Sequence, residues 1–458
     1  MTTVEQLAEF VVRSNYEDLS KDARQALKIR VLDSLGCALG ALDGEVPKLV
    51  RQQVEDFGGA EHCTLIGGGR FAPDRAAFYN SALVRYLDFN DSYLAKGETC
   101  HPSDNLGAVL AAAEYAHCSG RELLAALAVA YQVQCRLSDA APVRAKGFDH
   151  ATQGSFAVAA GVSKALRLDR LKTAHALAIS GTAFNALRVT RTGALSHWKG
   201  LAYPNTAFGA THAAFLAMRG VTGPLEVFEG NKGFMEAIAG KFELNWAAED
   251  LERVCRTIVK KYNAEIHSQS ALAGLLELRR ETPFTADEVE RVDLEIFDVA
   301  FNIIGGGEEG GKHTVRTKEE ADHSLPYLLA AAILDGEVMP EQYYPERIQR
   351  TDVQALLRRI HVREDEAFSR RFPEEMPCRL TVTLLHGRRL VKEKQDYEGF
   401  HSRPTTWPTC VKKFERLGAP YAEAKQRSEI AAAVENLEDV QATELMRLLA
   451  NIQHAVLA

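Results

Sequence analysis

Apolar positions recur with a helical period along most of the chain, and many of them are small residues. Segments rich in alanine and glycine, such as 122–136, 155–166 and 206–218, are apolar on nearly all sides. Helices of that kind are typical of burial, and small side chains let helices pack closely. Residues 1 to about 265 are therefore predicted to form a large, densely packed helical domain.

The pattern changes near residue 285, where apolar and polar positions begin to alternate. Alternation at 291–296 predicts a half-buried strand. Alternation at 379–384, followed by a His386-Gly387 turn and further extended residues, predicts a hairpin. This part of the chain is therefore predicted to contain a small sheet.

Helical stretches at 325–335 and 353–360 accompany these strands, and the pattern after Pro404 and Pro408 is helical again over 411–458. A chain of 458 residues is also too long for one compact core. We predict a mainly α fold, in which a large all-helical domain carries an inserted, smaller α/β lid domain. The predicted segments are the first part of the helical domain (1–270), the lid (271–403) and the C-terminal return of the helical domain (404–458).

Composition and charge exclude several classes of protein. The net charge of −8 and the absence of a Lys/Arg block argue against a nucleic-acid partner. No apolar run of about 18 residues is present, and the N-terminus carries acidic residues early, so we expect neither a membrane span nor a signal peptide. We expect a cytoplasmic protein without a membrane partner.

The cysteines and glycine-rich runs do not indicate a cofactor. The eight cysteines are scattered without a CxxC pair, which argues against zinc ribbons and iron–sulfur clusters and favours reduced, buried thiols. The run at 305–313 resembles a phosphate-binding loop, but His313 occupies the position that requires Ser or Thr. No HxxxH or HxH pair is present. We therefore expect no metal and no cofactor.

The stretch LDFNDSYLAKGETCHPSDNLG, residues 87–107, concentrates the most polar chemistry. Gly97 and Pro102 interrupt any regular helix, so much of the stretch is predicted to be loop. A polar loop between two buried helices can direct acids, bases and hydroxyls into a cleft. The structural alternative is a solvated linker with a helix N-cap at Ser103 or Asp104. Its candidate residues are Asp88, Asp91, Ser92, His101 and Ser103.

Four further clusters combine basic and acidic residues, and each also has a structural alternative. A histidine at a helix start can be a cap, a lysine can extend to solvent, and a charged run can be a solvated helix end. The clusters are 147–154 with His150, 196–200 with Lys199, 260–269 with Lys260, Lys261 and His267, and 318–326 with Lys318 and His323.

Lysines, histidines and hydroxyls without a nucleophile motif suit proton transfer on a carboxylate substrate. Removing a proton next to a carboxylate builds negative charge, which lysine and histidine donors stabilise. Expelling a neighbouring hydroxyl requires a general acid. The residue types therefore indicate proton transfer or elimination on a polycarboxylate.

The same clusters resemble segments of one known family. LDFNDSYLAKGETCHPSDNLG is similar to the signature loop of the MmgE/PrpD family, the 2-methylcitrate dehydratases and their relatives. Four further segments resemble family segments and follow in the same order along the chain: GFDHATQG, HWKG, KKYNAEIHSQSA and EEADHSLPY. The resemblance implies a helical domain with a small α/β lid, a homodimer, no metal, and a metal-independent hydro-lyase acting on 2-methylcitrate or citrate in propionate catabolism.

The resemblance also implies roles for particular residues. Ser92 stands where many members have threonine, and Tyr262-Asn263 stands where Phe-Pro is common, so both Lys260 and Lys261 are candidates. The catalytic candidates are Asp88, Ser92, His101, His150, Lys199 and His267. The candidates for substrate binding are Lys260, Lys261, Asp91, Ser103, Lys318 and His323.

Other activities remain open from sequence alone. Within the family, the alternatives are a cis-aconitate decarboxylase and an amino-dicarboxylate epimerase. A non-catalytic carboxylate-binding protein is the alternative from a different class. The proton acceptor is Asp88 or His101 in the dehydratase hypothesis, and the proton donor is His150.

Overall fold

The computed structural model of the protein describes residues 1–452 and confirms a mainly α-helical fold. The predicted apolar segments 122–136, 155–166 and 206–218 each fall in a long helix, and the second extends one residue past the end of its helix. The α-helices within these residues are α1 (Thr3–Arg13), α2 (Lys21–Gly40), α3 (Glu45–Phe57), α4 (Pro73–Tyr86), α5 (Leu106–Tyr115), α6 (Gly120–Ala140), α7 (Ala151–Ala165), α8 (Arg170–Ala183), α9 (Trp198–Met218), α10 (Gln269–Glu281), α11 (Asp298–Ala300), α12 (Lys318–Ala321), α13 (Leu325–Asp335), α14 (Pro345–Ile348), α15 (Thr351–Leu356), α16 (Glu366–Ser369), α17 (Trp407–Gly418), α18 (Ala424–Glu435) and α19 (Ala442–Ala450).

The strands are few and short, and they form two small hairpins and one four-stranded sheet within residues 1–452. The strands are β1 (Cys63–Thr64), β2 (Arg70–Phe71), β3 (Tyr93–Ala95), β4 (Glu98–Cys100), β5 (Val289–Ile296), β6 (Ile360–Glu364), β7 (Cys378–Leu384) and β8 (Arg389–Lys394).

The chain divides into two compact units. The first contains residues 1–190, 200–258 and the described residues from 405, and the second contains 191–199 and 259–404. The lid predicted at 271–403 lies inside the second unit. The last six residues of the predicted C-terminal segment, 453–458, lie outside the described residues. Within residues 1–452, no helix is long and apolar enough to cross a membrane.

Small residues let the central helices of the first unit pack closely. Helix α7 packs against α6 and α5. A Cβ added to Gly161 of α7 would lie 2.8 Å from Val109 and 2.9 Å from Ala130, so only glycine fits at this crossing. The eight cysteines are free and seven are buried, as predicted.

The second unit is built on the sheet with strand order β6-β5-β7-β8. Strand β5 pairs in parallel with β6 and antiparallel with β7, and β7 pairs antiparallel with β8. The apolar positions of β5 and β7 are buried, and α10 and α13 pack on the sheet. The predicted strand at 291–296 and the predicted hairpin are confirmed.

The helix predicted at 353–360 is wrong at its C-terminal end, because the observed helix is shorter. Helix α15 stops at Leu356, a 3-10 turn covers Leu357–Arg359, and Ile360 begins strand β6. The apolar residues Leu356, Leu357 and Ile360 match helical spacing, so periodicity alone favours a longer helix. Pairing with β5 outweighs that local preference.

Candidate active site

The polar loop between α4 and α5 is buried, and the solvated-linker alternative is wrong. The exposed fraction is 0% for Asp91 and Ser92 and 7% for His101. A short hairpin, β3 and β4, forms inside the loop around Gly97, whose φ of 86° favours glycine. Asn105, and not Ser103 or Asp104, precedes α5, and it makes no side-chain cap. The loop therefore buries its acids and its histidine.

The main chain of the loop orients the ring of His101. Its Nδ1 atom lies 2.8 Å from the carbonyl oxygen of Asp91 and 2.9 Å from Oγ of Ser92. Because a carbonyl oxygen only accepts hydrogen bonds, Nδ1 carries the hydrogen. In the neutral ring, Nε2 then carries the lone pair. His101 is thus arranged to accept a proton at Nε2.

The carboxylate of Asp91 connects the end of this loop to helix α6. It accepts hydrogen bonds from the Ser103 N–H at 3.0 Å and from the Tyr131 hydroxyl at 2.9 Å. Burial raises the pKa of Asp91, and the hydrogen bonds from Ser103 oppose that effect. The Ser103 hydroxyl accepts a hydrogen bond from Asn90 at 2.8 Å. Asp91 and Ser103, two substrate-binding candidates, therefore bind each other.

Asp88 occupies an unusual backbone conformation just after α4. Its φ is 54°, in the left-handed region that aspartate tolerates better than most residues. Its Oδ1 accepts a hydrogen bond from the Arg85 guanidinium at 2.6 Å, and both side chains are buried. This ion pair balances the carboxylate charge at the start of the loop.

His150 lies beside His101 in the first unit. It directly precedes α7, as predicted, makes no side-chain cap there, and is 2% exposed. The two imidazole rings lie 5.2 Å apart in an edge-to-face arrangement, and Tyr203 lies 5.7 Å from the His150 ring. Asp149 accepts a hydrogen bond from the Ala151 N–H at 3.1 Å and places its carboxylate 3.5 Å from His150 Nδ1. Two buried histidines thus share one site, although 48 residues separate them in the chain.

A second cluster, in the second unit, is centred on Asp322. Its Oδ1 lies 2.9 Å from Lys199 Nζ and 2.5 Å from His323 Nδ1, and its Oδ2 lies 2.9 Å from Lys318 Nζ. Burial raises the pKa of Asp322, but Lys199 and Lys318 outweigh it and hold this pKa well below its usual range. Asp322 is therefore an ionised carboxylate that gathers three basic side chains.

Glu265 and His267 extend this second cluster. His267 donates from Nδ1 to Glu265 at 2.7 Å, so its Nε2 carries the lone pair in the neutral ring. Burial raises the pKa of Glu265, but the neighbouring basic groups, His267 first among them, outweigh burial and hold it at about 2. The His267 Nε2 atom is buried and has no hydrogen-bond partner within residues 1–452. Its ring contacts Phe297 and Phe372.

The two adjacent lysine candidates differ in position. Lys260 is 1% exposed and interacts with Glu265. Lys261 has a side chain that is 38% exposed and forms an ion pair with Glu398 at 2.6 Å. Lys260 therefore belongs to the second cluster, and Lys261 lies at the surface.

Each unit thus gathers its own set of candidate residues. The first unit brings together Asp88, Asp91, Ser92, His101, Ser103 and His150, and the second brings together Lys199, Lys260, His267, Lys318 and His323. The candidate list lacks Asp149, Tyr203 and Asp322. The repeated Asp-His dipeptide at 149–150 and 322–323 is a signal that could have identified both aspartates.

Two family models match successive parts of the chain. The MmgE/PrpD N-terminal domain matches residues 5–247, and the MmgE/PrpD C-terminal domain matches residues 262–439. The chain belongs to the MmgE/PrpD family. The resemblance drawn from the polar clusters is confirmed.

Similar curated proteins include 2-methylcitrate dehydratases and cis-aconitate decarboxylases. The chain is 28% identical over 431 residues to 2-methylcitrate dehydratase of Escherichia coli (strain K12), and 27% identical over 431 residues to that of Salmonella typhi. Both alignments cover 88% of this chain and 87% of the relative. Identity to cis-aconitate decarboxylase of Mus musculus is 27% over 449 residues, covering 92% of this chain and 88% of the relative. The chain is thus related along most of its length to a dehydratase and a decarboxylase.

Proposed function

We propose that this protein is a metal-independent dehydratase that removes water from a tricarboxylate such as 2-methylcitrate or citrate and produces an aconitate-type alkene. The observation that carries the proposal is the buried pair His101 and His150, with ring centroids 5.2 Å apart. Elimination of water requires one group that accepts a proton and another that donates one. A pair of neighbouring histidines can supply both.

In this mechanism, Nε2 of His101 removes a proton from the carbon next to a carboxylate. The electrons of that C–H bond form the alkene, the neighbouring C–O bond breaks, and the hydroxyl leaves as water with a proton from His150. We assign the base to His101 rather than to Asp88, because Asp88 is engaged by Arg85 at 2.6 Å. The carboxylates of the substrate bear part of the negative charge that develops. We assign Lys199 and Lys260 as the cations that stabilise this charge.

A decarboxylase is the second candidate, because one of the similar relatives bears that name. Decarboxylation breaks a C–C bond and then needs one proton donor at carbon, so it has no need for a base. Dehydration uses both histidines of the buried pair, whereas decarboxylation needs a single proton donor, so the pair supports dehydration over decarboxylation. An epimerase also needs two proton-transfer groups, and product analysis separates it from a dehydratase. We further propose that the enzyme is a homodimer, which sedimentation or light scattering tests.

The first experiment follows ultraviolet absorbance of a conjugated alkene when chelator-treated protein meets 2-methylcitrate, with citrate in parallel. We expect absorbance to rise without added metal. We expect His101→Gln and His150→Gln to lower kcat by about 10²- to 10⁴-fold, the usual contribution of general acid–base catalysis. His212→Gln, whose side chain is 55% exposed on α9, is the matched control and should leave kcat unchanged.

Three outcomes would overturn parts of this proposal. Turnover retained in both histidine variants would remove the acid–base assignment. Activity that appears only after adding iron would contradict metal independence. Release of carbon dioxide from cis-aconitate without an alkene signal from 2-methylcitrate would identify the decarboxylase instead.

A further inference from the structure

The glycine-rich segment 305–312, excluded above as a nucleotide loop, ends beside the second cluster. Gly306 and Gly310 have φ values of 111° and 92°, which favour glycine. The segment ends at Lys312, whose carbonyl oxygen accepts a hydrogen bond from the Ser324 hydroxyl at 2.6 Å. Ser324 directly follows His323. The loop is therefore attached next to the residues that surround Asp322.

The ammonium group of Lys312 has an unusual environment. The residue is half-buried, and its Nζ forms no ion pair with any residue in 1–452. Burial lowers the pKa of Lys312, while Glu309, Glu265 and Asp322 oppose that effect and Lys199 lowers the pKa further. Its charge therefore acts on the second cluster without direct contact with a carboxylate. A half-buried cation that has no ion-pair partner is strongly stabilised when an anionic ligand binds to it.

The neighbouring lysines differ from Lys312 in this respect. Lys199 and Lys318 each contact Asp322 at 2.9 Å, and Glu265 is engaged by His267 at 2.7 Å. Asp322 and Glu265 thus already have basic partners. Among the described residues of the second unit, the charged and titratable groups around this cluster include four lysines, Lys199, Lys260, Lys312 and Lys318, two histidines, His267 and His323, and three carboxylates, Glu265, Glu309 and Asp322.

We propose that Lys312 is a specificity-determining residue that binds the third carboxylate of the substrate and so favours tricarboxylates over dicarboxylates. This inference rests on the proposed function, since it takes the ligand to be a tricarboxylate. The loop that carries Lys312 is loosely packed, because a Cβ added at Gly306, Gly310 or Gly311 meets nothing within 4 Å. A charge-assisted hydrogen bond from one lysine to one carboxylate is the interaction that a dicarboxylate lacks.

The test measures binding of two probes that cannot lose water. Propane-1,2,3-tricarboxylate and glutarate differ by one carboxylate, and neither carries a hydroxyl. Calorimetric titration of Lys312→Gln should show a Kd for the tricarboxylate raised by about tenfold or more, the size expected for one charge-assisted hydrogen bond. The Kd for glutarate should stay within about twofold of wild type.

Three further variants check the assignment. Lys312→Arg keeps the charge and should recover most of the tricarboxylate affinity. Glu309→Gln removes a carboxylate that competes for Lys312 and should tighten tricarboxylate binding. Lys392→Gln is the matched control, because Lys392 pairs with Glu281 at 2.6 Å and interacts with none of the second cluster's carboxylates. Thermal unfolding of each variant verifies that it is folded.

The outcomes separate this inference from the proposed function. Equal weakening of both probes in Lys312→Gln, or no weakening of either, overturns the specificity role. If wild type turns over 2-methylcitrate but Lys312→Gln binds the tricarboxylate normally, the inference fails and the dehydratase proposal stands. If the tricarboxylate preference depends on Lys312 but no substrate is turned over, the inference stands and the dehydratase proposal fails.

Discussion

The Nδ1 atom of His101 lies 2.8 Å from the main-chain carbonyl oxygen of Asp91, and the side chain of Asp91 in turn binds Tyr131 and Ser103. Asp91 therefore holds the ring of His101 with its backbone, and its carboxylate binds Ser103 near the end of the loop and Tyr131 in helix α6. The orientation of the proposed base depends on a buried carboxylate that makes no direct contact with its Nε2 atom.

We predict that Asp91→Ala lowers kcat by about 10²-fold, because a displaced carbonyl group no longer orients His101 for proton transfer. Tyr131→Phe removes one hydrogen bond to the same carboxylate and should lower the free energy of unfolding by about 1 kcal/mol. Its effect on kcat should be much smaller than that of Asp91→Ala. Steady-state kinetics and urea unfolding of both variants measure the difference.

The pair of variants separates positioning from general destabilisation. If kcat falls in proportion to stability in both variants, Asp91 contributes only to folding. A wild-type kcat in Asp91→Ala would show that the contact with His101 has no catalytic importance.

A second prediction concerns Gly154, one turn after His150 in α7. A Cβ at this position would lie 2.4 Å from the ring of Tyr203, so the ring must move. The Tyr203 ring lies 5.7 Å from that of His150. We expect Gly154→Ala to cost about 1–3 kcal/mol of stability through overpacking and to lower kcat as well.

Gly161→Ala is the matched control on the same helix. Its Cβ would meet Val109 at 2.8 Å and Ala130 at 2.9 Å, which also overpacks the core but does not involve His150. We expect a similar fall in melting temperature with kcat retained in the folded enzyme. Equal loss of kcat in the two variants would contradict a role for the Tyr203 contact.

Helices and strands whose apolar residues recur with a clear period could be predicted from the sequence. Helix α13 has the bounds expected from the apolar run at 325–335, and alternation located β5, β7 and β8. The polar clusters identified the family because several motifs occur in a fixed order. These features depend on local sequence, which is available before folding.

Other features depend on contacts that no local pattern reports. Strand β6 exists because β5 pairs with it, and the β3–β4 hairpin forms within a stretch whose composition indicates only loop. Adjacent lysines 260 and 261 are equivalent by composition, yet one is buried and the other exposed. The binding of Asp91 to Tyr131 joins residues 40 positions apart. Spacing along the chain cannot rank such residues as catalytic or positioning.

The depressed pKa of Glu265 predicts how stability depends on pH. This pKa is about 2 in the folded protein, against an ordinary value of 4.5. Above pH 4.5 the carboxylate is ionised in both states and its stabilisation is fully present. As pH falls from 4.5 towards 2, the unfolded chain takes up the proton first, so up to about 3 kcal/mol of unfolding free energy is lost.

Glu265→Gln removes this titration and tests the prediction. Urea unfolding should show that the free energy of unfolding of this variant lies well below that of wild type at pH 6. The difference between the two free energies should be smaller at pH 3. Glu290→Gln, an exposed position in β5, is the control and should follow wild type at both pH values. A gap that stays constant between the two pH values would contradict the ionised pairing of Glu265 with His267.

The last prediction uses the neighbouring lysines as a matched pair. Lys260 is buried with the second cluster, so Lys260→Gln removes a cation proposed to bind a substrate carboxylate. We expect its KM for 2-methylcitrate to rise by about tenfold or more, as loss of one charge-assisted contact implies. Lys261→Gln breaks an exposed ion pair with Glu398 that is worth at most about 1 kcal/mol, and its KM should be unchanged. The two variants make the same chemical change one residue apart, so their KM values can be compared directly. A raised KM in Lys261→Gln with an unchanged KM in Lys260→Gln would assign substrate binding to Lys261 and contradict the assignment of Lys260.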